Sequence, residues 1–215
     1  MKKKYIIVTT IFILLSSIYT TAQEENFKNV FAFSPQYLAN NSLHLEWDFK
    51  LDSLDNWLVI APQFIRSYDS QYDGTFHQDH NSVIGFGLNV MMKSFIYNSY
   101  SGEGFYYSYG ISYKYHDINV SGNIWESYKE DDITFYKQDN RDYNLSIHNL
   151  AGRCTAGFQF SIIDNLIGDA FLGVGIKYPF YNRPEGSYVK FNKGPSDYGY
   201  MGTHFIIGFR IGVGW

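Results

Sequence analysis

The chain has 215 residues, of which 17 are basic and 21 acidic, and a single cysteine. The length fits one domain, the acidic balance argues against a nucleic-acid partner, and a lone Cys154 can make no internal disulfide.

Lys2, Lys3 and Lys4 precede an apolar run over residues 5–18, and Thr20-Thr21-Ala22 follow it. A charged start, a greasy middle and small residues at a cut site describe a secretory signal peptide. The run is short of the roughly 20 apolar residues that a spanning helix needs. The expectation is therefore a leader over residues 1–22, cut after Ala22, and a mature domain over 23–215. No cysteine stands at the cut, so lipoprotein processing is not indicated, and no later stretch reads as a transmembrane helix.

Beyond the leader the chain keeps a strand-and-turn rhythm. The first strand is expected over 28–38, with Pro35 near a strand end or a bulge because it lacks a ladder donor. The second, over 42–51, alternates completely: Leu43, Leu45, Trp47, Phe49 and Leu51 against His44, Glu46, Asp48 and Lys50. No helix produces that period. The third is expected over 57–68, the fourth over 82–93 and the fifth over 104–116. Residues 117–144 read as a long surface loop holding its own charged hairpin. The sixth strand is expected over 145–160 and the seventh over 167–178. A long Gly-, Pro- and Tyr-rich loop then leads to the last.

The final strand, over 203–215, carries Phe205, Ile207, Phe209, Ile211, Val213 and Trp215 on one face, with His204, Ile206, Gly208, Arg210, Gly212 and Gly214, mostly small or charged, on the other. It stops on an aromatic residue. The 20 Tyr, 18 Phe and 4 Trp are an excess suited to the aromatic girdles of a barrel in lipid. With the leader, the paired alternation and the terminal aromatic strand, the chain resembles the small eight-stranded outer-membrane β-barrels of the OmpA/OmpX-like type. The resemblance implies an all-β fold: an eight-stranded antiparallel up-and-down transmembrane β-barrel with long extracellular loops, in the outer membrane of a Gram-negative cell. A ten-stranded barrel, with the hairpin inside 117–144 joining the wall, is the alternative count. A soluble calycin-like barrel is the rival fold, and it would turn Trp47, Phe49, Phe209 and Ile211 into a dry interior.

If the apolar residues face lipid, the charges fill the lumen. Glu46, Asp48 and Asp169 then meet Lys50, Lys93, Lys114, Arg153, Lys177 and Arg210. Isolated charges in a narrow lumen are costly, so an ion-pair network is expected among Glu46, Asp48, Arg153, Asp169 and Arg210, with Glu46 accepting from Arg210 or Arg153. Hydrated pore-lining charges are the plainer alternative.

Three other constellations carry possible chemistry. Ser146 and His148 fall on the lipid face, where some outer-membrane lipid hydrolases keep a Ser and a His. Those enzymes carry His-x-Ser, however, and this order is reversed with no acid at an obvious spacing. His77, Asp79 and His80 suit a transition metal in chemistry but sit on a loop that fixes no spacing. Glu130, Asp131 and Asp132, with Glu126, Asp139 and Asp142 nearby, are acidic enough for calcium yet do not match its loop pattern. No cofactor is implied.

The expected role is non-enzymatic: a barrel with a side-chain-filled lumen, serving structure or interaction. Its expected partners are outer-membrane lipid and lipopolysaccharide, and an extracellular protein or small-molecule ligand met through the loops. The alternatives are a hydrolase acting on lipid A or phospholipid, and a narrow channel or carrier for a small apolar molecule.

Overall fold

A computed structural model describes residues 27–51, 56–70, 80–96, 102–163, 165–182, 191–192 and 194–215. The expected leader lies outside the described residues. Eight strands follow one another: β1 (Asn29–Phe33), β2 (Ser42–Lys50), β3 (Asn56–Ser70), β4 (His80–Phe95), β5 (Gly104–Glu130), β6 (Ile133–Ile163), β7 (Leu166–Asn182) and β8 (Gly202–Gly214). Each pairs antiparallel with its neighbour in sequence, and β1 pairs with β8, so the sheet closes into a ring. The seam carries a second tie, since Trp215 N donates to Asn29 O and Asn29 N to Trp215 O, both at 3.0 Å.

Period-two alternation gives each strand two faces, and closure makes one face the outside and the other the lumen. Phe205 and Ile207 are 88% and 83% exposed, whereas Glu46 and Lys93 are 2% and 1% exposed. Trp47, Phe209 and Ile211 also lie on the outer surface, and Phe49 stacks on Trp47 at 4.7 Å on that same face. These apolar residues thus face away from the lumen, opposite to the soluble rival.

Two expected boundaries are corrected. The first strand stops at Phe33, and Pro35–Asn40 form a short 3-10 helix, closed by Asn41 in the left-handed region at φ 51°. Proline starts a helical turn readily because its missing N–H is not needed there. Residues 117–144 are not a separate loop. β5 and β6 run on in continuous register to Glu130↔Ile133, joined by Asp131 and Asp132, both at positive φ. The hairpin extends two wall strands and adds none, so the ring has eight.

The lumen holds more than the expected charges: its two ends are apolar. Toward the end holding the short connections, Val30, Ala32, Trp57, Phe95, Tyr106 and Ile167 form a buried cluster. Toward the other end, Ile65, Val83, Ile118, Val120, Tyr143, Leu145 and Ile147 close around Phe191. Polar and charged side chains line the space between.

Candidate functional site in the lumen

Above the Trp57 cluster lies a layer of paired charges. Arg210 on β8 donates through Nη1 to Glu46 on β2 and lies 2.7 Å from Asp169 on β7 through Nη2. Lys93 on β4 bonds Asp48 at 2.9 Å, lies 3.5 Å from Asp169, and donates to Gln159 Oε1 at 2.5 Å. Tyr106 bridges the two cations: its hydroxyl donates to Asp169 at 2.7 Å and accepts from Arg210 at 2.5 Å. Lys93 also sits over the Tyr106 ring, 4.4 Å from its centroid. All five charged side chains are buried. Two cations hold three carboxylates here, and each charge meets at least one of opposite sign.

Arg153, expected in this group, is not in it. The register pairs Arg153 with Gly175, which pairs with His204; Asp169 pairs with Gln159 and with Arg210. Arg153 therefore lies six positions along β6 from the charged layer, about 20 Å at strand rise. Tyr106 and Gln159 join the layer from β5 and β6, and neither carries a charge that would mark it in the sequence.

Between this layer and the Phe191 cluster is a cavity of about 700 Å³. Lys114 on β5, Arg153 on β6 and Lys177 on β7 line it, together with His116, Asn149 and His204. Across the wall these face Gln63 and the 3-10 turn, and the segment around Asp197 and Tyr198 covers part of the mouth. Lys177 Nζ donates to the Asp197 carbonyl at 2.7 Å, and Tyr181 Oη to the Gly199 carbonyl at 2.6 Å, so this segment is fastened to β7. Burial, and after it the adjacent Asp197 carboxylate, hold the Tyr198 phenol above its ordinary range.

The remaining candidates fall apart in space or onto the surface. Ser146 and His148 stand on the outer face, each against a tyrosine: Tyr113 Oη is 2.7 Å from His148 Nδ1, and Tyr115 Oη is 3.4 Å from Ser146 Oγ. Among the described residues no bond joins Ser146 to His148 and no carboxylate orients the imidazole. His77 and Asp79 lie outside the described residues. His80 is buried inside the ring, edge-on to Phe191 and Tyr198. Glu126 pairs with Arg141 at 2.5 Å and Asp142 accepts from Ser121 at 2.5 Å, while Asp131 and Asp132 make the turn. Among the described residues no three His, Cys, Asp or Glu side chains gather as metal ligands.

No protein-family model matches the chain, and no curated protein matches it significantly.

Proposed function

We propose that the chain is an outer-membrane β-barrel of the small eight-stranded, OmpA/OmpX-like type, delivered by a cleaved leader and exposed at the cell surface through its long β5/β6 hairpin and loops. Its role is interaction or support in the envelope, among outer-membrane lipid and lipopolysaccharide, with the loops presented to an outside protein or small molecule. One observation carries this reading: the inside-out distribution of side chains. Phe64, Ile84, Phe105, Ile111, Leu172, Ile176, Phe205 and Ile207 are all exposed around the ring, while Glu46, Asp48, Lys93, Asp169 and Arg210 are buried within it. Monomers in water rarely expose contiguous apolar patches beyond a few hundred Å². In hydrocarbon the same surface is the solvated one, and closure pairs the ladder around the ring except beside the 3-10 segment.

Neither alternative has comparable support. A lipid hydrolase needs a base bonded to its nucleophile, and Ser146 and His148 are each held by a tyrosine instead. A channel would have to pass the layer in which Lys93 and Arg210 bond three carboxylates.

The native Cys154 provides the test, because it is exposed on the outer face and pairs across to Tyr109 and Val174. In lipid vesicles the folded protein should resist a charged, water-soluble maleimide and label fully once unfolded in urea. Its gel mobility should shift on heating. Equal labelling of the folded and unfolded chains, with no mobility shift, would overturn the membrane reading.

A further inference from the structure

The ring is not uniform around its circumference. β1 stops at Phe33, opposite Ile211, so β8 from residue 202 to 210 runs on past the end of its partner. On the other side of the seam, β2 begins at Ser42. Between these two strands the wall consists of the 3-10 turn Pro35–Asn40. A helical turn aims its N–H and C=O groups along its own axis, so it fills the space without continuing the ladder.

Two observations mark this place as an opening. Phe205 and Ile207, on the overrunning part of β8, are the most exposed large apolar side chains among the described residues. They also line the same cavity as Lys114, Arg153 and Lys177, although their side chains belong to the outer face. On β3, β5, β6 and β7 only inward residues line the cavity, and β8 alone adds outward ones, beside the 3-10 segment.

The cavity also has unanswered charge. Among the described residues Lys114, Arg153 and Lys177 face a single lining carboxylate, Asp197, whereas the layer below holds three carboxylates to two cations. Among the described residues Arg153 Nε is buried without a hydrogen-bond partner, and so is the side-chain amide of Gln36 on the turn. Part-buried cations lacking a counter-ion are unfavourable, and an anion set among them removes that cost. A volume of about 700 Å³ falls within the range of small-molecule sites.

We propose that this cavity binds an anionic amphiphile. Its phosphate or carboxylate head lies among Lys114, Arg153 and Lys177, and its apolar chain leaves through the side of the ring between β8 and the 3-10 turn, past Phe205 and Ile207. The head half follows from the cavity itself; the chain half rests on the outer-membrane reading.

Calorimetric titration of the folded protein in amphipol tests both halves, with dodecyl phosphate, inorganic phosphate and dodecyl maltoside each below micelle formation. Dodecyl phosphate should bind roughly fifty-fold more tightly than inorganic phosphate, the gain when about three methylenes leave water. It should also outbind dodecyl maltoside, weaken with added salt, and lose roughly tenfold in affinity in Arg153→Gln and in Lys114→Gln. Should either variant fail the heat-shift check of folding, the salt dependence of the unmodified protein decides the head half. Equal binding of the two dodecyl compounds would overturn the anion site. Inorganic phosphate binding as tightly as dodecyl phosphate would overturn the amphiphile in favour of a free anion, and no binding at all would overturn the whole. A protected Cys154 alongside absent binding would sink this inference and leave the membrane reading standing.

Discussion

Arg210 donates to Glu46 across the full width of β1, linking the last strand of the ring to the second. The same guanidinium meets Asp169 on β7 and Tyr106 on β5, so one side chain gathers four strands. Arg210→Met would leave Glu46 and Asp169 buried with fewer cations to face. Removing one partner of a buried pair costs about 3–5 kcal/mol, whereas replacing both by apolar groups of similar volume is close to neutral. Arg210→Met should therefore lower the urea midpoint in vesicles sharply, and Glu46→Leu combined with Arg210→Met should recover part of the loss. An unchanged midpoint in the single variant would show that the layer contributes little to stability.

Two glycines in the wall should respond in opposite ways. A Cβ on Gly110 would stand 2.2 Å from Val90 O and 2.6 Å from Met91 Cα, which are backbone atoms of the neighbouring strand. A Cβ on Gly152 would meet nothing within 4 Å. Gly110→Ala should destabilise by about 1–3 kcal/mol or more, as overpacking does. Gly152→Ala should stay within about 0.5 kcal/mol, as surface substitutions do. Urea titrations of the two variants side by side give the comparison.

The outer face offers a depth test. Leu172 and Ile176 project from β7, while Tyr128 is exposed on the far part of the hairpin. In vesicles Leu172→Arg should cost about 2–4 kcal/mol, the penalty of a cation at the bilayer midplane, and Tyr128→Arg about 0–1 kcal/mol. Similar costs at both positions would mean that no hydrocarbon surrounds Leu172.

Much of the wall was legible because its cause is local. Leu43 to Phe49 alternate with His44 to Asp48, and a period of two admits one backbone. The sidedness of Glu46, Asp169 and Arg210 follows directly. Pro35 warned of a strand end, but the 3-10 turn depends also on Asn41 taking a left-handed backbone, a choice that composition does not force. The height of each inward residue was not legible. Arg153 looks mid-strand in its own sequence, yet its level relative to Asp169 is set by the registers of β6 with β7 and β7 with β8. For the same reason Lys114, Arg153 and Lys177 read as scattered inward bases, and the structure gathers them around one cavity. Tyr106 alternates into the lumen on β5, and its hydroxyl reaches Asp169 from a strand two places away.

The Asn29–Trp215 clasp has a kinetic consequence. Seven of the eight pairings join segments that are successive along the chain, so they can zip up one hairpin at a time; the seam alone waits for the two most distant strands to find each other. Until it shuts, β1 and β8 are raw edges able to recruit a foreign strand. If that closing step limits folding, a curled sheet lacking only its final join is the aggregation-exposed species, and conditions that hurry the join should raise the yield of folded protein.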